Sequence, residues 1–157
     1  MSSAEQRSSA RLAAVQALYQ MEVADKGLND ILAEFEAHWI GQEVEGDQYK
    51  PAELAFFRNV VTGVQVDQHA IDRALDEALS QGWPLRRVEA LMRAILRAGL
   101  YELKGRPDVP ARVAIKEYVD IAGAFFARDE SGMINAVLDA LARALRPAEF
   151  GVENSRA

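Results

Sequence analysis

The sequence predicts an all-α fold, and three observations carry that reading. Apolar residues recur at steps of three and four through most of the 157 residues, the period of one helix face. No segment alternates apolar and polar residues as a half-buried strand does. Glycine and proline fall between the periodic stretches, where they punctuate helices rather than interrupt them. About seven helices are expected, with residues 1–82 as an N-terminal helical subdomain, 83–147 as a C-terminal one, and 148–157 as a disordered tail.

Residues 4–24 form the first predicted helix, with Leu12, Val15, Ala17, Leu18, Tyr19 and Val23 as its apolar stripe and Ser2 or Ser3 as its cap. Lys26-Gly27 reads as its end, a cation in the last turn with glycine after it. A second helix runs from Asn29 to Ile40, turning Ile31, Leu32, Phe35 and Trp39 inward, and Gly41 to Gln48 is a loop. Pro51 opens a third helix through Leu54, Phe57, Val60, Val61 and Val64. A fourth continues from Gln65 to Leu79, ending at Ser80-Gln81-Gly82. Pro84 to Leu103 follows Trp83 as the central helix, its apolar face made of Val88, Leu91, Met92, Ile95, Leu96, Leu100 and Leu103. Arg86, Arg87, Arg93 and Arg97 fill its other side, and Gly99 in the stripe suits the close approach of another helix. The connector Gly105 to Pro110 leads to a sixth helix reaching Phe126, burying Ala114, Ile115, Tyr118, Ile121, Ala122 and Phe125. Arg128 to Gly132 reads as a turn before a seventh helix that carries Ile134, Val137, Leu138, Leu141 and Leu145 inward.

Composition excludes several function classes. There is no cysteine, so neither a disulfide nor a thiolate metal site is available, which fits a reducing cytoplasm. No apolar run approaches the 18 residues of a membrane span. The two histidines are His38 and His69; His69 with Asp72 or Asp67 lacks a third ligand, so no metal is expected. No glycine loop for phosphates precedes a helix, no cofactor or small-molecule substrate is implied, and the chain reads as a binding protein rather than an enzyme.

The charge pattern suggests what is bound. The net charge is −6, yet residues 84–116 carry 8 Lys/Arg against 3 Asp/Glu. Arg86, Arg87, Arg112 and Lys116 in that block are candidate phosphate contacts. Arg7 and Arg11 are four apart and share a face of the first helix with Gln6, Ser8, Ser9 and Gln16, a polar, mildly basic stripe. Asn135 in the seventh helix reads as a half-buried polar lock to a neighbouring helix.

Four segments together carry a resemblance. They are Ala10 to Val23 (ARLAAVQALYQMEV), Ala94 to Leu103 (AILRAGLYEL), Asp108 to Ala122 (DVPARVAIKEYVDIA) and Ile134 to Asp139 (INAVLD). In this order and spacing, over about residues 7–146, the chain resembles the NusB family of bacterial transcription antitermination factors. The resemblance implies two packed helical subdomains and no enzymatic activity. It also implies a partner, the ribosomal protein NusE, and a joint site for the boxA element of nascent ribosomal RNA. That complex joins NusA, NusG and RNA polymerase and suppresses early termination. The resemblance points to Arg7, Arg11 and Gln16 for RNA and to Tyr19, Glu89, Asp129 and Met133 for NusE. Departures are present: Ser8 and Ser9 stand where family members carry more arginines, Lys116-Glu117 replaces Asn-Glu, Asn135-Ala136 replaces Asn-Gly, Met92 replaces an acidic residue, and Met133 replaces an aromatic. Two alternatives belong to other classes. One is the NusB-like RNA-binding domain of an RNA methyltransferase, for which 157 residues leave no cofactor domain. The other is a helical protein-interaction module that never touches RNA.

Overall fold

The computed structural model describes residues 3–43, 51–79 and 84–151. Among them are α1 (Ser3–Val23), α2 (Leu28–Glu43), α3 (Pro51–Val66), α4 (Gln68–Ala78), α5 (Ala90–Gly105), α6 (Ala111–Phe125) and α7 (Arg128–Leu145), with no strand. Short 3₁₀ turns occupy Leu85–Arg87 and Pro147–Phe150. The expected cap Ser2, the inward Trp39, most of the expected 41–48 loop and the 80–83 break lie outside the described residues or their side chains; α2 itself extends to Glu43, beyond its predicted end.

α5 is the axis. It packs against α1, α3, α4, α6 and α7, and Ile95, Leu96, Ala98, Leu100 and Leu103 are all buried. One continuous apolar cluster runs from Ala10 on α1 to Ala142 on α7 through this helix. At Gly99 α7 comes close: a Cβ built there would stand 2.8 Å from Leu138 Cδ1. Gly63 on α3 plays the same part for the Tyr101 ring, which would lie 2.1 Å from a Cβ, and the Tyr101 hydroxyl donates to Asn59 Oδ1 at 3.0 Å.

Several boundaries differ from the expected ones for local reasons. α1 stops at Val23, and Asp25 rather than Gly27 takes the left-handed backbone, at φ 54°, a conformation Asp tolerates better than most side chains. Lys26, expected to finish α1, instead bonds Glu34 on α2. Pro84 does not start the central helix. Leu85–Arg87 form a 3₁₀ turn, whose Leu85 N–H donates to Asp76 Oδ1 at 2.8 Å, and α5 begins only after Glu89. Leu85 and Val88 are nevertheless buried, because a three-residue repeat places side chains on one face in either helix type. Arg128 to Gly132 is not a turn but the start of α7, with Asp129 and Glu130 in the first turn, where acidic residues complement the helix dipole.

The end of the chain packs further than expected. Residues 148–150, assigned above to a disordered tail, belong to the second 3₁₀ turn. Glu149 accepts the Ala111 N–H at 2.7 Å, which caps α6, and Arg146 binds the backbone oxygens of Leu103, Val109, Glu102 and Arg106. The guanidinium groups of Arg112 and Arg143 each lie 4.6 Å from the Phe150 ring centre. Residues 152–157 lie outside the described residues.

Candidate functional site

The start of α1 is less exposed than its sequence suggests. Arg11 is 3% exposed and Gln6 4%, so the stripe Gln6–Arg7–Arg11 is not a free basic surface. Arg11 Nε donates to Glu102 Oε2 at 2.7 Å and Nη2 to Glu102 Oε1 at 3.0 Å, a two-pronged pair with a fully buried carboxylate. Arg11 Nη1 also reaches Glu117 at 3.1 Å, and the Ser8 hydroxyl donates to the same oxygen at 2.6 Å. The buried Tyr118 hydroxyl donates to Glu102 as well. Burial works against the Arg11 charge, but the Glu102 hydrogen bond and charge outweigh it and raise its pKa. Burial and the Glu102 charge push the Tyr118 phenol well above 10.0. Arg11, expected to meet phosphate, is therefore a structural cation that ties α1 to α5 and α6, and this corrects the sequence reading.

Arg7, one turn earlier, is different. It is half-buried on α1, and among the described residues it makes no hydrogen bond or ion pair. Its guanidinium lies 4.5 Å from the centre of the Phe56 ring on α3. Arg11 and Arg106 approach the same ring, at 5.1 and 4.9 Å. Arg106, in the connector, was not singled out from sequence; it pairs with Asp108 and also reaches Asn59. The clue in the sequence was its place in a Pro/Gly connector beside the start of α6.

The basic block of residues 84–116 is largely neutralised by tertiary contacts. Arg97 forms a two-pronged bond with Asp72, at 2.8 and 2.9 Å, and also reaches Glu22. Arg93 binds Glu22 and the Val88 carbonyl. Lys104 pairs with Asp67, Arg106 with Asp108 and Lys116 with Asp120. Arg93 and Arg97, read as the solvent side of the central helix, are thus inter-helix ties. Arg86 and Arg87 remain exposed, with no ion pair among the described residues.

The predicted RNA contacts fall at two ends of α1. The Ser8–Glu117 bond sets the start of α1 beside α6, which also carries Arg112 and Lys116 on a shallow groove with Asn135 and Asp139. Asn135 is exposed there rather than half-buried, which corrects its reading as a lock. Arg86 lines a separate depression with Arg73, Arg93 and Arg97. Through Arg93 that depression adjoins Glu22, about 21 Å along the helix from Ser8 at the usual rise per residue. Arg86 and Arg87 are therefore not brought together with Arg7.

Of the predicted partner residues, Tyr19 lines a groove of about 560 Å³ with Gln16, Gln20, Glu34, Phe35, His38, Leu91 and Phe125. Tyr19 is 37% exposed and Phe125, expected inside, is 49% exposed; exposed aromatic side chains around a cleft are the composition of an interface core. Gln16, assigned above to RNA, lines this groove instead of the Arg7 surface. Glu89 stands at the N-cap position of α5 without a side-chain capping bond, two residues before Leu91, and Asp129 opens α7 shortly after Phe125. Met133, one turn further, packs half-buried against the core. Among the described residues no three His, Asp or Glu gather as a metal site, and no helix is long and apolar enough to cross a membrane.

An all-α scaffold of seven described helices, with an aromatic groove and no metal cluster among the described residues, defines a class of helical proteins built around surface contacts. The family model described as the NusB family matches residues 8–143. Relatives named transcription antitermination protein NusB include one from Bradyrhizobium diazoefficiens, 64% identical over 94% of this chain and 90% of the relative. Another, from Nitrobacter hamburgensis, is 62% identical over 94% of this chain and 92% of its own. The fold matches a solved structure of T. maritima NusB with a TM-score of 0.78 and 28% identity, covering 92% of this chain and 96% of that one. It also matches a chain from a structure of antitermination factors NusB and NusE in complex with dsRNA, with a TM-score of 0.71 at 22% identity over 89% and 98% of the two chains. At that identity the likeness concerns the fold. The chain belongs to the NusB family.

Proposed function

We propose that this chain is a transcription antitermination factor. It pairs with NusE, binds the boxA element of nascent ribosomal RNA with it, and, with NusA and NusG, keeps RNA polymerase processive. The observation that carries the reading is 64% identity to a transcription antitermination protein NusB across nearly the whole of both chains. Because that relative is covered to 90% of its length, the match leaves it no large additional domain of the kind a methyltransferase needs. The protein acts by binding, not catalysis, and does so in the cytoplasm. Tyr19 and the groove around it, with Glu89, Asp129 and Met133, form the NusE face. Arg7, with Arg112 and Lys116 on the neighbouring helix, forms the RNA face; Arg86 and Arg87, in the 3₁₀ turn near the far end of α1, do not belong to the same contact.

With net charge −6 and most cations of residues 84–116 already paired, long-range attraction for RNA is weak. A basic partner supplies the missing charge, so RNA binding is cooperative. Fluorescence anisotropy with labelled boxA RNA, with and without NusE, tests this. The expected outcome is weak binding by the chain alone and tight binding by the pair. Equally tight binding without NusE defeats the cooperative reading.

A further inference from the structure

We propose that Phe56 is a positioning residue for RNA binding: its buried ring holds the guanidinium of Arg7 in place as a preorganised phosphate contact. The inference rests on the RNA-binding reading above and adds a residue that does not itself touch RNA.

Three guanidinium groups converge on one ring that is 2% exposed. Two of them have other anchors, Arg11 in Glu102 and Glu117, and Arg106 in Asp108 and Asn59. Arg7 has the ring at 4.5 Å and feels the Asp108 charge, but makes no hydrogen bond or ion pair among the described residues. The negative face of an aromatic ring attracts a planar cation, and this attraction leaves all five N–H donors of a guanidinium available. A carboxylate anchor would instead occupy those donors and cancel the charge. Ring stacking is thus the one restraint that orders a long, flexible side chain while preserving its capacity to bind an anion, and ordering it beforehand removes part of the entropy loss on binding. Arg11 and Arg106 are each compensated by carboxylates, so Arg7 is the guanidinium at this ring whose donors are not taken by a carboxylate among the described residues.

The test is a double-mutant cycle read by boxA RNA anisotropy in the presence of NusE, using the full chain. Arg7→Ala is expected to weaken binding. Phe56→Leu, which keeps an apolar side chain but removes the ring, is expected to weaken it about two- to fivefold. In the Arg7→Ala background Phe56→Leu is expected to change affinity no further, and with Arg7 present Phe56→Tyr, which keeps the ring, is expected to bind as the unaltered protein does. A loss of ring packing that acted only on stability would move the urea midpoint and leave this coupling at zero. Equal losses from Phe56→Leu in both backgrounds, or none in either, overturn the positioning role. Unchanged affinity in Arg7→Ala overturns the RNA contact on α1 itself, and the role with it. A second measurement needs no variant of Phe56: in the unaltered protein the Arg7 side-chain protons are expected to show upfield ring-current shifts by NMR, and ordinary exposed-arginine shifts overturn the proposal.

Discussion

Arg11 on α1 and Glu102 on α5, 91 residues apart in sequence, are joined by two hydrogen bonds with almost no solvent at either side chain. The carboxylate also accepts the Tyr118 hydroxyl, so a single buried anion ties α1, α5 and α6 together. Removing one member of such a pair leaves an uncompensated charge. Arg11→Met is expected to destabilise by about 3–5 kcal/mol. The double change Arg11→Met with Glu102→Leu is expected to recover much of that loss, less what the Tyr118 hydroxyl forfeits. Urea unfolding followed by helical circular dichroism decides it; a wild-type midpoint for Arg11→Met would mean the pair is open to water.

Leu138 fills the space that Gly99 leaves. Leu138→Ala is expected to cost about 2–5 kcal/mol, as for other buried leucines. Gly99→Ala should destabilise the wild type, since the new Cβ would lie 2.8 Å from Leu138 Cδ1. It should be tolerated in the Leu138→Ala background, where the space is free. Additive losses in the double variant would contradict this packing.

Glu22 is the acid-sensitive tie between α1 and α5. The Arg93 hydrogen bond lowers its pKa below the ordinary 4.5, burial opposes this, and Arg97 adds to the lowering. A depressed carboxylate pKa gives stability that is present above about 4.5 and lost as pH falls through the folded value. Glu22→Gln is therefore expected to be less stable than wild type at neutral pH, with the difference shrinking as the solution is acidified below 4.5. A gap between the two urea midpoints that is the same at pH 7 and pH 3 would count against it.

Asp129 is exposed in the first turn of α7, shortly after Phe125 in the sequence. Asp129→Lys is expected to weaken NusE binding while leaving the helical circular dichroism signal intact, at a stability cost of about 0.3–1 kcal/mol from the helix dipole. Calorimetry with equal affinity for both proteins would remove Asp129 from the partner face.

On α1, Arg7 is the arginine that makes no hydrogen bond or ion pair among the described residues. Arg7→Ala should flatten the salt dependence of boxA binding by the NusE pair by about 0.7 log unit per log unit of salt, the increment of one single-strand contact. Anisotropy titrations at several salt concentrations measure it. An unchanged slope would move the RNA contact toward Arg112 and Lys116.

Much of the helical framework is written locally. The three-and-four spacing of Ile95, Leu96, Leu100 and Leu103 marks α5 as buried on several sides, and it is. Gly99 in that stripe marks a close approach, and α7 makes it. Boundaries were harder because the 3₁₀ turn at Leu85–Arg87 preserves the same apolar repeat and acidic residues suit both a turn and a helix start. The candidate site was only partly legible. Phe125 was read as core and Tyr19 as part of an apolar stripe, with only the resemblance pointing Tyr19 to a partner, yet both stand at the groove, since periodicity identifies an apolar face but not whether a neighbour covers it.

By itself the sequence determined the helices, the central place of α5 and the family. Those depend on side-chain period and on residue types within a few turns of one another. Only the tertiary structure decided which arginines are free. Arg7 and Arg11 share a face and a residue type, but one meets a phenyl ring and the other a buried carboxylate. Charge pairing across tens of residues depends on which helices meet, and no local pattern records that.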